Sequence, residues 1–359
     1  MLQLLSKIPQ YKLAYHLGWP KILPANYTFI ISTFCNSRCK TCYVWKQQHE
    51  ELVLDEWKKI LKSIGKAPFW VTVSGGEPFI QPHIAELCKM ICEICEPAIL
   101  NIPTNSTMYK IIPGRLKEIL EGAKKTQIII NLSLDGVGEK HDQIRRTHNN
   151  FEYFKENYKN IKKMKASYDN LTVCIHSVIS KFNFNDAREL FDYALGLEPD
   201  QYITEIAEER KELDTHGKAI TPSYEEYSQA IDNLIERIKK RRFTGMAKIT
   251  ESFRLEYYDM VKKWLKRREQ IFPCFAGVAS CQVSSWGEVW PCCIRGDKMG
   301  DLRAVDYDFK KAWFNQEADR IRRSIKNREC ECPLANASYT NMLMHVATLT
   351  KVGLRVLIP

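Results

Sequence analysis

The sequence lacks a long apolar segment. Its 359 residues contain no run approaching the roughly 20 uninterrupted apolar positions that a membrane-spanning helix needs. The first 19 residues carry charge and proline within their apolar pattern. The apolar core of a cleaved signal peptide has no such interruptions. A soluble, cytoplasmic protein is therefore expected. Because thiols stay reduced in the cytoplasm, the 13 cysteines are interpreted as metal ligands or small buried residues rather than as a disulfide framework.

The sequence also lacks a nucleic-acid-binding motif, although its formal net charge is +10. Much of the positive charge falls between Arg237 and Arg268. The second basic cluster of this stretch, residues 261–268, lies on a predicted amphipathic helix. Its apolar side carries four large residues: Phe253, Tyr257, Val261 and Trp264. One interpretation is a solvated helix face, and the other is a surface that attracts an acidic substrate, a redox protein or lipid headgroups. Nucleic acid is not expected as a partner.

What the chain does have is a regular alternation of two kinds of segment. Six β-rich apolar runs occupy residues 28–33, 69–74, 98–104, 127–135, 171–179 and 201–207. Helical patterns lie between them, near residues 54–64, 82–95, 114–124, 151–167 and 184–195. Such alternation predicts a parallel sheet, either doubly wound or an open relative of the (β/α)8 barrel. Either fold places its chemistry in loops at the carboxyl ends of the strands.

The spacing C-x3-C-x2-C occurs twice, and the two copies predict different roles. The copy at 88–95 falls on the apolar stripe of a helical pattern, and its outer two thiols would lie roughly 10 Å apart along the helix axis. These cysteines are interpreted as small buried residues. The copy at 35–42 follows directly on a predicted strand and contains poor helix formers, which indicates a loop.

That loop can aim three sulfurs, those of Cys35, Cys39 and Cys42, at one point. A structural zinc site normally has four protein ligands, and no fourth cysteine lies nearby in the sequence. Three cysteines on a [4Fe–4S] cluster leave one iron open to a small molecule, which it can chelate and supply with an electron. Zinc and iron–sulfur chemistry both stay open on these residues alone.

The loop resembles the signature of the radical S-adenosylmethionine (radical SAM) superfamily. The segment Ser74–Pro78, at the end of the second predicted strand, is similar to the glycine-glycine-glutamate segment of that family. The resemblance implies a [4Fe–4S] cluster on the three cysteines and S-adenosylmethionine as a second cofactor. It also implies that Gly75, Gly76 and Glu77 contact this cofactor. The glycines would allow a close approach of the backbone, and the carboxylate would accept hydrogen bonds from the methionine ammonium.

Similar segments end the next two predicted strands. The resemblance implies cofactor contacts for Asn105 and Ser133, and for Arg145 a contact with the cofactor carboxylate, with Arg146 as the alternative. Tyr43, immediately after the third cysteine, is implied to contact the cofactor. A turn and a helix cap would explain the polar residues at these strand ends without any cofactor.

The C-terminal part resembles the SPASM and twitch domains that hold auxiliary iron–sulfur clusters. A cysteine is followed by a hairpin with a glycine turn, then by Pro-Cys and a helical run over 309–325. A C-x-C pair stands where twitch domains usually have C-x2-C. The resemblance implies one auxiliary [4Fe–4S] cluster with four ligands: Cys274, Cys292, Cys330 and Cys332. Cys281 and Cys293 are alternative ligands, and a zinc site or a reduced thiol-rich hairpin is the alternative to a cluster.

The predicted fold is therefore α/β, a partial (β/α)6 TIM-like barrel with a small C-terminal α+β domain. Four units are expected along the chain: an N-terminal helical extension at 1–26, the barrel at 27–210, a basic helical connector at 211–270 and the twitch-like domain at 271–359.

The implied activity is reductive cleavage of S-adenosylmethionine to a 5′-deoxyadenosyl radical, which removes hydrogen from an unactivated C–H bond for oxidation or bond formation. An electron donor such as flavodoxin or ferredoxin is implied as a partner, and no catalytic acid, base or hydrogen donor is assigned. Two alternatives come from other classes. An iron–sulfur electron carrier would need no glycine-glycine-glutamate segment, and a zinc-binding module would be colourless.

The substrate stays open between a peptide, a small molecule and a lipid. Relatives with such C-terminal domains often modify ribosomally made peptides, but the 26 residues before the first predicted strand are too few for a leader-binding winged helix. The apolar segments at 1–19 and 341–359, together with the basic helix, suggest a lipid or a membrane surface. Helices that cap the core explain the same residues, and this is the preferred interpretation.

Overall fold

The computed structural model describes residues 2–357. Met1, Ile358 and Pro359, which belong to the predicted N-terminal extension and twitch-like domain, lie outside the described residues. The strands are β1 Asn26–Ser32, β2 Trp70–Gly75, β3 Ile99–Thr104, β4 Gln127–Ser133, β5 Leu171–Ile179, β6 Gln201–Ile206, β7 Ser280–Val283, β8 Glu288–Trp290 and β9 Gly300–Asp301. The helices are α1 Leu2–Leu17, α2 Leu54–Ile64, α3 Ile84–Cys95, α4 Ile112–Gly122, α5 Glu139–Arg145, α6 Asn150–Met164, α7 Ala187–Gly196, α8 Tyr224–Lys240, α9 Gly245–Arg267, α10 Phe309–Trp313, α11 Gln316–Lys326, α12 Ala335–Met344 and α13 Val346–Leu357.

The first six strands form the predicted parallel sheet. They lie side by side in chain order, from β1 to β6, and every neighbouring pair is parallel. A doubly wound arrangement would reverse the order somewhere within these six strands, and they show no such reversal. The partial barrel is therefore confirmed, and its strand ends gather at one mouth.

Three C-terminal strands extend the same sheet. Strand β7 pairs in parallel with β1, from Asn26 opposite Ser280 to Phe29 opposite Val283. Strands β8 and β9 then continue in antiparallel fashion, so the sheet has nine strands in the order β6-β5-β4-β3-β2-β1-β7-β8-β9. The predicted hairpin is present, with Gly287 at a φ of +94° in its turn. The predicted twitch-like unit thus shares a sheet with the barrel.

The strands separate an apolar outer face from a more polar inner face. Phe29, Val71 and Ile130 point outward and are fully buried under the surrounding helices. Burying each of these side chains contributes about 1.5–3 kcal/mol. Alternate positions point inward, and in β6 they are the partly exposed ones. The helices therefore cover the outside of the barrel, and the inner face lines a lumen.

The predicted helix over 309–325 is in fact two helices. Helix α10 ends at Trp313, and α11 begins at Gln316 after Asn315. The Asn315 side chain accepts a hydrogen bond from Ala318 N at 2.9 Å, which caps α11. Asparagine competes for backbone hydrogen bonds inside helices, and the apolar periodicity of the run did not reveal this break. Helix α5 was not predicted, since its 7 residues are too few for a periodic signal.

The basic connector contains two long helices, α8 and α9, and α9 is the predicted amphipathic helix. The apolar side of α9 is buried, with Tyr257 1% and Val261 0% exposed. Two of its lysines form ion pairs with acids, Lys262 with Asp232 and Lys263 with Asp259. These contacts support the interpretation as a solvated helix face. Among residues 2–357, no helix has the length and apolar character needed to cross a membrane.

Candidate metal centres

The cysteine loop, residues 35–42, starts where β1 ends, and two glycines at the end of β2 fix it there. Gly76 N donates a hydrogen bond to Ser32 O at 2.9 Å. A Cβ on Gly76 would lie 1.9 Å from Phe34 O, and one on Gly75, whose φ is +134°, would lie 2.2 Å from Ser32 O. Glycine is thus required because the backbone of the loop passes so close. The predicted contact of these glycines with a cofactor stays a prediction.

Asn105, just after β3, ties the cysteine loop to the barrel. Its Nδ2 lies 2.8 Å from Asn36 Oδ1, 3.1 Å from Ser37 Oγ and 3.7 Å from Cys35 Sγ. Its Oδ1 accepts hydrogen bonds from the backbone N–H and the hydroxyl of Thr107. The side chain is only 5% exposed. Asn105 therefore positions the loop and directs an N–H toward a sulfur.

Glu77 is buried at the same junction, with 1% of its surface exposed. Its Oε1 accepts hydrogen bonds from Thr104 Oγ1 at 2.9 Å and Phe79 N at 3.2 Å, and its Oε2 accepts one from Asn105 N at 2.6 Å. Burial raises the pKa of this carboxyl to about 7, although these hydrogen bonds oppose the shift. A carboxylate oxygen can accept two hydrogen bonds, so Oε2 has room for one more donor. The predicted contact with an ammonium group suits this geometry and stays a prediction.

Helix α5 brings Arg145 to the loop. Its Nη1 lies 3.5 Å from Cys39 Sγ. Its Nε lies 2.9 Å from Asp135 Oδ2, a contact that is ionic rather than a well-aligned hydrogen bond. The backbone of the loop also donates to the last carbonyls of α5. Arg146 is exposed at the end of the helix, so the structure brings Arg145 and not Arg146 to the thiols.

The three thiols of the loop have surroundings that suit an iron–sulfur cluster held by thiolates. Burial raises the pKa of Cys35 to about 11, and it also raises the pKa of Cys42. Neighbouring thiolates raise both pKa values further because like charges repel, and bound iron would reverse these effects. Asn105 and Arg145 already direct N–H groups at the sulfurs. The residues present therefore fit a [4Fe–4S] cluster, although these ligands stay a prediction. Within residues 2–357, no group of three His, Cys, Asp or Glu side chains is arranged to hold a single metal ion.

Ser133 and Tyr43 also lie at the mouth of the barrel. Ser133 ends β4, is partly exposed and pairs in register with His176 of β5. The ring of Tyr43 faces the ammonium groups of Lys46 and Lys218, at 5.1 Å and 5.2 Å from its centre. The cofactor contacts predicted for Ser133 and Tyr43 stay predictions.

The second C-x3-C-x2-C copy lies in the hydrophobic core. Cys88, Cys92 and Cys95 are 0%, 8% and 0% exposed on the unbroken helix α3. Burial raises the pKa of Cys92 to about 11 and that of Cys88 well above its ordinary value. The interpretation of these thiols as small apolar residues is therefore confirmed.

Four C-terminal cysteines lie near one another, as predicted. Cys274, Cys330 and Cys332 line one small cavity. Cys292 is close enough to Cys274 and Cys330 for their charges to raise its pKa, after burial as the larger cause. The alternative ligand Cys281 lies instead in β7, opposite Tyr27. The four thiols fit an auxiliary cluster, and their role as its ligands stays a prediction.

Two polar residues at this second thiol set were missed in the sequence. Burial raises the pKa of Cys330 and of Cys274, and Arg295 beside Cys330 and Asn341 beside Cys274 oppose these shifts. Asn341 is 7% exposed, and its Oδ1 accepts a hydrogen bond from Phe275 N at 2.7 Å. Each thiol set thus has one arginine and one asparagine directed at sulfur. Lone polar residues on a hairpin and a helix give no sequence signal for such a contact.

A loop after β6, residues 207–215, connects the two thiol sets; we call it the bridge loop. Gln47, close behind the cysteine loop, donates from Nε2 to Glu212 O at 2.8 Å. Glu212 N in turn donates to Cys293 O, next to the predicted ligand Cys292, at 3.2 Å. A single segment therefore sets the position of one thiol set relative to the other.

The bridge loop also brings an acidic network to the mouth. Arg210 forms ion pairs with Glu208 at 2.7 Å and Glu205 at 3.4 Å, and Glu205 lies 3.4 Å from His176. Burial raises the pKa of Glu208 to about 7, although Arg210 opposes the shift. The acid-rich run that follows the sixth predicted strand was the available signal for this network.

A family model described as the Radical SAM superfamily matches residues 29–194. The matched span contains the cysteine loop, the glycine pair, Asn105 and Arg145 in the arrangement described above. Residues 29–194 form a radical SAM domain. Proteins of this superfamily use a [4Fe–4S] cluster and S-adenosylmethionine, so the predicted family and its cofactors are confirmed.

Two curated relatives are similar to most of this radical SAM chain. The antilisterial bacteriocin subtilosin biosynthesis protein AlbA of Bacillus subtilis (strain 168) is 24% identical over 301 residues, which are 82% of this chain and 60% of AlbA. The AdoMet-dependent heme synthase of Methanosarcina barkeri (strain Fusaro / DSM 804) is 23% identical over 318 residues, 83% of this chain and 84% of that protein. The chain thus spans 60% of the length of AlbA.

A solved structure shows the same fold. Streptococcus suis SuiB bound to its precursor peptide SuiA has a TM-score of 0.60 to this radical SAM protein at 17% identity, over 89% of this chain and 71% of SuiB. The likeness extends beyond the barrel into the C-terminal part. The predicted combination of a partial barrel with a small C-terminal domain is confirmed at the level of the fold.

Proposed function

We propose that this protein is a radical SAM enzyme that removes a hydrogen atom from an unactivated C–H bond of a peptide. Cys35, Cys39 and Cys42 would hold the [4Fe–4S] cluster, which when bound supplies the electron that cleaves S-adenosylmethionine to methionine and the 5′-deoxyadenosyl radical. Cys274, Cys292, Cys330 and Cys332 would hold an auxiliary cluster. Oxidation of the substrate or formation of a new bond suits such a pair of centres.

One observation carries the proposal. The ends of two strands and one helix converge on the cysteine loop after β1, through Gly76, Glu77, Asn105 and Arg145. Asn105 and Arg145 direct N–H groups at two of its sulfurs. An ordinary turn or a helix cap needs none of these contacts. The junction is therefore built to hold three thiols at a fixed place above the lumen.

The residues of the chain have separable tasks in this proposal. Arg145 stabilises negative charge at Cys39, since its guanidinium stays protonated beside Asp135. Glu77 keeps one acceptor for an ammonium group of the cofactor. The barrel wall and the bridge loop keep water and stray hydrogen donors away from the mouth.

A peptide is the substrate that the relatives favour. AlbA takes part in the biosynthesis of a bacteriocin, and SuiB was solved with a precursor peptide bound. The heme synthase of Methanosarcina barkeri supports a small molecule as the second candidate. A mass shift in a co-expressed peptide, compared with a shift in a metabolite extract, distinguishes the two.

Two further partners belong to the proposal. Arg38 and Lys46 lie exposed around the cysteine loop, which suits an acidic electron donor such as flavodoxin or ferredoxin in the cytoplasm. Leu17 and Trp19 are 71% and 67% exposed beside Lys21, which suits a peripheral contact with a membrane surface. Sedimentation with acidic vesicles, with and without Trp19→Ser, tests the membrane contact.

The cofactor assignment is tested by counting iron after anaerobic reconstitution. Two clusters imply about eight irons per chain, and a triple alanine variant of the cysteine loop should retain about four. The spectrum of that variant should no longer respond to S-adenosylmethionine, because the remaining cluster has four cysteine ligands. A folded variant that loses all its iron would contradict the second cluster, and one that still responds to S-adenosylmethionine would contradict the first.

A further inference from the structure

Five polar side chains form a continuous belt on the inner face of the barrel. We call them the lumen belt: Thr28, Thr72, Asn101, Asn131 and Gln282. Thr28 pairs in register with Thr72 on one side and with Gln282 on the other, and Thr72 pairs with Asn101. Asn131 joins by donating from Nδ2 to Asn101 Oδ1 at 2.6 Å. Their sequence neighbours pack outward under the helices, so these five face the lumen.

The hydrogen bonds of the lumen belt run in one direction, and two polar groups of the belt have no hydrogen-bond partner. Asn131 donates to Asn101, and Asn101 donates from Nδ2 to Thr72 Oγ1 at 3.3 Å. Asn131 Oδ1 accepts no hydrogen bond from the described residues, and Gln282 Nε2 donates none to them. Asn131 is 8% and Gln282 3% exposed. Buried polar groups normally have a partner, so these two are free to form a hydrogen bond with a bound molecule.

The lumen belt lies toward the closed end of the lumen. Helix α12 covers that end, where Asn336 donates from Nδ2 to Thr28 Oγ1 at 2.9 Å. In the other direction the next inward residues include Ser133 and His176, which are partly exposed and lead to the mouth. A molecule that enters past the cysteine loop therefore meets the polar belt at the bottom, beside the apolar side chains of Ile129 and Trp70 on the same face.

We propose that the lumen belt binds backbone amide groups of the peptide substrate, an inference that rests on the proposed function and names the chemistry of its binding site. A peptide unit has one N–H donor and one C=O acceptor, the complements of Asn131 Oδ1 and Gln282 Nε2. These two groups are four strand spacings apart, roughly 19 Å measured along the sheet. A single hydroxyl cannot reach both, whereas a short extended peptide, at about 3.3 Å per residue, can.

Gln282 distinguishes a binding role from a structural one. Its Nε2 makes no hydrogen bond within the described residues. Gln282→Met removes this buried unpaired donor and nearly conserves the volume of the side chain. The folded state should become more stable, because an unsatisfied buried group is costly. Binding of the peptide should weaken about fivefold, the usual effect of one lost hydrogen bond. If Gln282 instead stabilised the fold, Gln282→Met would lower the stability of the protein.

The test measures binding of neutral probes to the reconstituted protein by saturation-transfer NMR and compares the variants by thermal unfolding. The probes are the peptide acetyl-(Gly-Ser)3-amide, the sugar maltotriose and decanol. We expect the peptide to bind, with weaker binding and a raised Tm in Gln282→Met. Asn131→Leu should also weaken binding. Asn160→Leu is the matched control, because Asn160 lies on α6 outside the barrel and donates to Glu156 of the same helix.

Three results would overturn the proposal. They are the absence of peptide binding to the wild type, binding of maltotriose or decanol in place of the peptide, and unchanged peptide binding in both belt variants. The measurement does not depend on cleavage of S-adenosylmethionine. A protein that binds the peptide and produces no 5′-deoxyadenosine would contradict the proposed function and leave the lumen belt standing.

Discussion

Replacing Gly76 with alanine tests whether the glycine pair holds the cysteine loop. The new Cβ would lie 1.9 Å from Phe34 O. Ordinary contact begins near 3.4 Å, so the end of β2 and the loop must separate by about 1.5 Å. That shift breaks the hydrogen bond from Gly76 N to Ser32 O, which is 2.9 Å long. The cysteine loop would lose its position above the lumen.

The expected cost follows from these contacts. Forcing atoms into a packed junction costs about 1–3 kcal/mol, and the lost hydrogen bond adds about 1 kcal/mol. The unfolding entropy of a chain of 359 residues is roughly 0.75 kcal/mol per degree at about 2.1 cal/mol/K per residue. The Tm should therefore fall by about 3–5 °C.

The assay is thermal unfolding followed by circular dichroism, together with the iron content after anaerobic reconstitution. Gly114→Ala is the matched control, because Gly114 lies in α4 and a Cβ there meets no atom within 4 Å. Its Tm should stay the same or rise slightly, since alanine favours helices more than glycine does. If Gly76→Ala kept both the Tm and the iron content of the wild type, the anchoring role of the glycine pair would be refuted.

Three further predictions concern the buried Glu208, the auxiliary thiols and two lysines of α9. Burial raises the pKa of Glu208 to about 7 from an ordinary value of 4.5, so the folded state holds a proton that the unfolded state releases. The stability that this group contributes is therefore lost as the pH rises from about 4.5 to about 7. In urea titrations at pH 5 and 7.5, Glu208→Gln should lessen this loss of stability, and the control Glu209→Gln should not. Cys332→Ser should lower the iron content of the auxiliary site, whereas Cys281→Ser should leave it unchanged, and equal losses would contradict the four ligands. Neutralising Lys262 and Lys263 should change vesicle sedimentation little, because both already pair with acids, and a marked salt-dependent loss would restore the anionic-surface interpretation.

Most of the barrel could be predicted because its signals are local. Buried parallel strands read as apolar runs, and the crossover helices show their own periodicity, so β1 to β6 fell within two residues of the predicted runs. The pairing of β7 with β1 could not be predicted, because it joins residues some 250 positions apart, Asn26 with Ser280, through a hairpin that looks self-contained. The order of the strands in the sequence does not indicate which strand pairs with the free edge of β1.

The site could be predicted only where a motif carries it. The cysteine loop and the glycine pair stand next to predicted strand ends, and fold topology brings strand ends together. Arg295 and Glu208 lie in loops and Asn341 lies on α12, and their contacts depend on segments that meet only in space. A single polar residue in such a segment has no periodic neighbour to mark it. The two C-x3-C-x2-C copies show that cysteine spacing alone does not predict a site. One copy lies in the hydrophobic core on α3 and the other forms a loop after β1, because the residues between the cysteines differ.

The most direct test of the account is the formation of 5′-deoxyadenosine by two triple variants. Each is reconstituted anaerobically, reduced with dithionite and supplied with S-adenosylmethionine. The variant with alanine at Cys35, Cys39 and Cys42 should form none, and the matched variant with alanine at Cys88, Cys92 and Cys95 should form it as the wild type does, for as long as its less well packed core stays folded. Formation of 5′-deoxyadenosine by the first variant, or its loss in a folded second variant, would contradict the assignment of the cysteine loop as the site of cleavage.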